Sequence, residues 1–158
     1  MRTVAIILLC FLISSCGFKP LYKLDGGGIG LDQIAIDLKG QNTYEIKEEL
    51  QNIFNNDSSE KKYVVVVEVK EEMIPIIINE NGTVSKYQID IALYFEVYNE
   101  NNDALFKDVS VGFAQYDVLI SEIENEDLRI QMLKLATNDA ASLMIAKIQS
   151  QLSFSNDN

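Results

Sequence analysis

The chain has no histidine and only two cysteines among its 158 residues. With no imidazole available, Cys–His nucleophile pairs and zinc sites of the usual kind are excluded, and so is His-based acid–base chemistry. Cys10 lies inside an N-terminal apolar run and Cys16 at its end. If that run is removed and Cys16 is modified, the body keeps no thiol and no disulfide, and packing alone must hold it together. Basic residues are scarce: 13 Lys and Arg face 24 Asp and Glu, a net charge of −11. Such a surface repels nucleic acid and bare anionic lipid, so no nucleic-acid partner is expected, and an anionic ligand would need a local cluster of lysines. Beyond residue 16 no apolar run approaches the roughly 20 residues that a membrane span requires. The body is therefore expected to be soluble and, given what precedes it, outside the cytoplasm.

What is present begins at the N-terminus. Met1-Arg2 is followed by the apolar run Val4 to Ile13 and then by Ile13-Ser14-Ser15-Cys16. A short basic region, a short apolar core and two small residues form a secretory signal. The Cys directly after the small residues resembles a bacterial lipobox, in which the Cys carries a diacylglyceryl group, cleavage occurs before it, and the new amine is acylated. A transmembrane anchor is the other reading, but Gly17, Lys19 and Pro20 end the run too soon. Residues 1–15 are thus expected to be cleaved, with Cys16 as the lipidation site and the membrane reached through lipid. Each buried methylene contributes about 0.8 kcal/mol, so two or three acyl chains hold a protein essentially permanently.

Residues 16–28 read as lipidated Cys and flexible tether, with Gly26, Gly27 and Gly28 preventing regular structure. Ile34, Ile36 and Leu38 alternate with Ala35 and Asp37, a strand period. Gly40 ends that strand, and Asn42 with Glu45 resembles a capping box opening a helix whose Ile46, Leu50, Ile53 and Phe54 share one face. Tyr63 to Val69, with its run of valines, predicts an internal strand. Pro75 makes Met73 to Ile78 an edge, a bulge or a protruding ribbon. Asn81-Gly82 predicts a hairpin turn. Tyr87, Ile89, Ile91, Leu93, Phe95 and Val97 alternate with polar residues in a long strand, and Asn99 to Asp103 turns the chain again. Leu105, Val109, Val111 and Phe113 alternate with Lys107, Asp108 and Ser110 in a further strand. The remainder is helix, acidic at its start (Glu122, Glu124, Glu126, Asp127), where the helix dipole favours such charge. Its apolar stripe, from Ile130 to Leu152 and widened by Leu128, Leu135, Leu143 and Ala146, predicts cover on more than one side.

The order β-α-β-β-β-α predicts an α+β two-layer sandwich: a four-stranded sheet with two helices packed on one face, spanning residues 29–154, and a disordered tail over 155–158. No Asp-x-Asp-x-Asp-Gly loop accompanies the acidic residues near 122–127, so a solvated first helical turn explains them better than calcium binding or paired catalytic carboxylates. No catalytic, metal or cofactor site is expected.

Cys16-Gly17-Phe18-Lys19-Pro20-Leu21-Tyr22 resembles the start of mature LPS-assembly lipoproteins of the LptE family, in which the lipidated Cys is followed by Gly, an aromatic, a variable residue and Pro-Leu-Tyr. The element order over residues 29 to 153 is similar to that family's fold. So is the final helix, with Ala136, Asp139, Ala140, Ile148 and Leu152. The resemblance implies a lipid-anchored protein on the periplasmic face of the outer membrane that plugs and stabilises an LptD-type barrel and assists lipopolysaccharide insertion. Gly17 in place of Asp is compatible with outer-membrane sorting under the rule known in enteric bacteria. Lys86 and Lys107, on neighbouring strands, are then possible lipopolysaccharide contacts, or else solvated lysines amid excess acid. Ile76, Ile77 and Ile78, with Tyr94 and Tyr98, are possible barrel contacts. Tyr116 is expected to share the exposed sheet face with the latter two. Two other classes stay open: a transport-auxiliary lipoprotein holding an apolar ligand between sheet and helices, and an envelope-tethered hydrolase using Ser–Lys or carboxylate chemistry.

Overall fold

In a computed structural model, which describes residues 30–40, 42–54 and 61–155, a short 3-10 turn at Leu31–Gln33 leads into six elements. They are β1 (Ile34–Lys39), α1 (Tyr44–Phe54), β2 (Tyr63–Ile78), β3 (Val84–Asn99), β4 (Ala104–Asp117) and α2 (Glu122–Ser155). The signal, Cys16, the tether and most of the expected tail lie outside the described residues, although α2 runs through Ser155 rather than ending at 154. The sheet order is β1-β2-β3-β4, so the expected α+β architecture is present. Two antiparallel hairpins join β2, β3 and β4, whereas β1 runs parallel to β2 and reaches it through the crossover helix α1.

Both turns use the same backbone device. Gly82 N–H donates to the Asn79 carbonyl (2.9 Å) and Asn79 N–H to the Thr83 carbonyl (2.8 Å); Asn102 and Asn99 repeat this with Asp103. Only the last loop residue takes positive φ, Gly82 at 83° and Asn102 at 61°. This is the three-residue loop closed by a left-handed residue, not the two-residue turn that Asn-Gly most often makes. The expected capping box also does not form: Asn42 turns its amide back to the Lys39 carbonyl, and the Thr43 carbonyl receives the first helical hydrogen bond, from Lys47.

The two readings of β2 are both right, for different halves. β1 pairs only with Tyr63 to Glu68. There Val65 and Val67 are fully buried toward the helices, and Val64 and Val66 are partly covered on the other face. From Val69 onward β2 is an edge, which is where Pro75 can lack a donor at no cost to pairing. Register shifts follow at Pro75/Ile77 and Ile77/Ile78.

One core fills the space between the layers. Ile89, Ile91, Leu93, Phe95 and Val97 from β3 meet Ile46, Leu50 and Phe54 of α1 and Leu133, Met144, Ile148 and Leu152 of α2. Lys134 to Glu48 (2.9 Å) and Asn138 to Glu49 (3.0 Å) link the helices at their exposed margin. The outer side of α2 is not covered: Leu135 and Leu143 remain half exposed.

In β4 large apolar residues stand on both faces of the sheet. Leu105, Val111 and Phe113 point to the open face, Phe113 being 58% exposed. The inward positions are Phe106, which packs edge-on against Phe95 with ring centroids 6.3 Å apart, then Ser110, Gly112, Ala114 and Tyr116. Tyr116, expected on the open face, is instead 8% exposed in the core beside Tyr87, with ring centroids 5.8 Å apart. The reason is the approach of α2. A methyl placed on Gly112 would lie 2.5 Å from the Ala140 backbone nitrogen and closer still to the Ala136 carbonyl oxygen. The helix backbone rests directly on β4, and only small residues (Ser110, Gly112 and Ala114 against Ala136 and Ala140) permit that distance.

Gly112→Ala is therefore expected to lower stability by about 1–3 kcal/mol through overpacking against backbone that cannot move aside, read as a fall in the thermal midpoint. The Ser110 hydroxyl is buried without a hydrogen-bond partner. Removing it in Ser110→Ala should leave stability unchanged or raise it by roughly 1 kcal/mol, measured by urea denaturation.

Candidate functional site

The helix-free face of the sheet is a ladder of transverse rows. Lys39, Glu68, Tyr94 and Val109 stand in register across all four strands, and the next row holds Asp37, Val66, Glu96 and Lys107. These rows line a shallow groove of about 340 Å³ that includes Lys39, Glu68, Tyr94, Glu96 and Lys107. Tyr94 is half exposed at its centre. The Tyr98 hydroxyl holds its proton more firmly than usual, chiefly because Glu96 accepts a hydrogen bond from it. Lining carboxylates and lysines nearly balance, so the groove has no strong charge of one sign.

Lys86 and Lys107 do share this face, as their parities suggested, but the structure does not bring them together. Lys107 is opposite Glu96, and Lys86 lies ten residues further along β3, a separation of roughly 34 Å. Lys86 is held by Asp117 at 3.1 Å, whereas Lys107 closes no ion pair among the described residues. The five residues singled out as barrel contacts also divide. Tyr94 and Tyr98 belong to the groove and its neighbourhood, while Ile76, Ile77 and Ile78 stand at the far end of the β2–β3 hairpin.

That far end exposes a run of large apolar residues. Ile76, Ile77 and Ile78 are 39%, 48% and 60% exposed, and Met73 beside them is also open. The segment between β4 and α2 joins them: Val118 N–H donates to the Ser85 carbonyl at 2.9 Å, and the Ser85 hydroxyl reaches the Ile77 carbonyl at 3.5 Å. Val118, Leu119, Ile120 and Ile123 thus extend the isoleucine patch, and all four are exposed. Sequence reasoning missed this second half. The signal was present as three consecutive apolar residues, 118–120, at a connection where polar turn residues are the rule.

β4 forms one edge of the sheet, and its middle is closed by side chains. Lys147 of α2 donates to the Val109 carbonyl at 2.7 Å and pairs with Asp108 at 3.0 Å, while Asp108 accepts from Val109 N–H at 2.7 Å. An inward-reaching charge on an edge strand discourages pairing with another chain. Arg129 performs a similar tie at the other end of α2, bound to Glu126 at 2.7 Å and 3.8 Å from Glu71 on β2. Among the described residues no group of three or more acidic side chains is placed to hold a metal ion.

No family model and no curated protein matches this chain. Solved structures do. A candidate lipoprotein from Caulobacter crescentus superposes with a TM-score of 0.63 at 14% identity, covering 79% of this chain and 93% of that one. Rare lipoprotein B from Shewanella oneidensis gives 0.57 at 11% identity over 80% and 99%. Uncharacterized lipoprotein B from Nitrosomonas europaea gives 0.59 at 12% identity over 76% and 83%. What is shared is the fold. The match takes in 83% to 99% of each of these proteins.

The Asp108 carboxyl sits below the usual aspartate range, first because Val109 N–H donates to it and then because Lys147 does. A depressed folded-state pKa contributes stability above the unfolded value, about 4, and that contribution is lost as pH falls through the folded value. Asp108→Asn should accordingly be less stable than the parent at pH 7, with the gap closing below about pH 4. Denaturation midpoints measured across that range check this.

Proposed function

We propose that the protein is a lipid-anchored envelope protein of the LptE type, which docks into an LptD-type outer-membrane barrel and assists lipopolysaccharide assembly. The observation that carries the reading is the two-ended layout of the sheet. The described chain enters at β1, whose Ile34 pairs with Tyr63, beside the Asn99–Asp103 turn. The exposed isoleucine patch lies at the opposite end of β2, roughly 50 Å away. A lipid on Cys16 would hold the entry end near the membrane and leave the apolar end to a protein partner. The lipobox-like segment, the Pro-Leu-Tyr extension after it and a fold held in common with lipoproteins all support this. The mode of action is complementary packing rather than turnover, and any lipopolysaccharide contact near the patch would use Lys86.

A ligand-binding lipoprotein is the second reading, and the groove around Tyr94 favours it. The ligand would lie on the open face, because the space between sheet and helices is taken up by core side chains such as Leu93, Phe95 and Met144.

Affinity capture of the full-length lipoprotein from detergent-solubilised envelope, read by mass spectrometry, separates the two. The barrel reading expects an LptD-type barrel in near-equal amount. An intact, folded lipoprotein captured without any barrel would sink that reading and leave the groove as the functional surface.

A further inference from the structure

The turn between β4 and α2 is built to hold an isoleucine in open water. Ile120 is fully exposed, at 106% of the reference accessibility, so it contributes nothing to the core. Yet the backbone around it is fixed on both sides. The Asn125 side-chain amide donates to the Leu119 carbonyl at 2.7 Å and accepts from Leu119 N–H at 2.6 Å, closing a two-point clamp. Val118 is tied to Ser85 on β3. On the helix side, the Ser121 carbonyl accepts from Asn125 N–H at 3.0 Å, and its hydroxyl accepts from Glu124 N–H at 3.4 Å. A solvated turn needs neither an apolar tip nor such a clamp, whereas a binding anchor gains from both because its ordering entropy is spent before it meets a partner.

We infer that Ile120 is a pre-formed docking knob that inserts into an apolar pocket with a cationic rim on the barrel partner. This inference rests on the barrel reading above and adds which residue docks and what it meets. The occupant follows from charge. The first turn of α2 after Ile120 carries the exposed acids Glu122, Glu124 and Asp127, the β2–β3 loop adds Glu80, and Asp117 before it is paired with Lys86. An anionic bilayer would be repelled by this excess of acid, and a second copy of this chain would set acid against acid. A protein pocket bordered by Lys or Arg fits both the apolar centre and the acidic margin, the usual anatomy of a buried anchor within a polar rim.

The test uses full-length lipoprotein captured from detergent-solubilised envelope, comparing the parent with Ile120→Asp, Ile120→Ala and Asn125→Ala, alongside the thermal midpoint of each. Burying an isoleucine is worth about tenfold or more in affinity. Ile120→Asp should cut the recovered barrel by at least that factor with an unchanged midpoint, and Ile120→Ala should give a smaller loss in the same direction. Asn125→Ala should weaken capture without touching the contact itself. Equal barrel recovery by the parent and both Ile120 variants overturns the knob and leaves the barrel reading standing. A parent that captures no barrel overturns both.

Discussion

The contact of α2 with β4 through Gly112 governs the arrangement of everything else. With the helix backbone lying against the strand backbone, the inward positions of β4 are confined to small side chains along Ser110, Gly112 and Ala114. Leu105, Val111 and Phe113 stand on the other face, while the larger inward residues, Phe106 and Tyr116, lie on either side of that small-residue stretch. The same closeness lets Lys147 reach past the sheet edge to the Val109 carbonyl. It also brings Arg129 over to Glu71 on β2. A helix seated further out could make neither tie, and β4 would present a long unprotected edge.

The length of the β2–β3 hairpin separates two regions with different physics. Near β1 the sheet is four strands wide and covered by both helices, and the core there is closed. Past Glu68 the sheet loses β1, and β2 becomes an edge carrying Pro75 and the exposed isoleucines. Apolar surface concentrated where cover is thinnest is costly for a free monomer, and it gains a purpose only when something covers it. The clamped turn at Leu119 adds to that surface rather than hiding it.

Much of this was legible from local pattern. Alternation in β3 and the four-residue steps of α1 identified their buried faces, since in each case the large apolar residues are the inward ones. Pro75 located the change from internal strand to edge. In β4 the pattern named a strand but not its buried face, because alternation reports which residues are apolar and not how closely a helix will approach. Tyr116 was misplaced for the same reason. The candidate site was half visible: the isoleucines of β2 stood out, while Val118, Leu119, Ile120 and Ile123 were passed over at a helix boundary.

Sequence alone determined the elements, their order, the excess of acid over base and the absence of imidazole. These depend on residue type and near-neighbour spacing, which the chain carries in one dimension. Tertiary structure decided the parallel pairing of β1, the faces of β4, the distance between Lys86 and Lys107, and the joining of two apolar segments into one surface. Each of these depends on which backbones come within contact distance, and a single glycine opposite Ala136 and Ala140 sets that distance for the strand and helix that matter most.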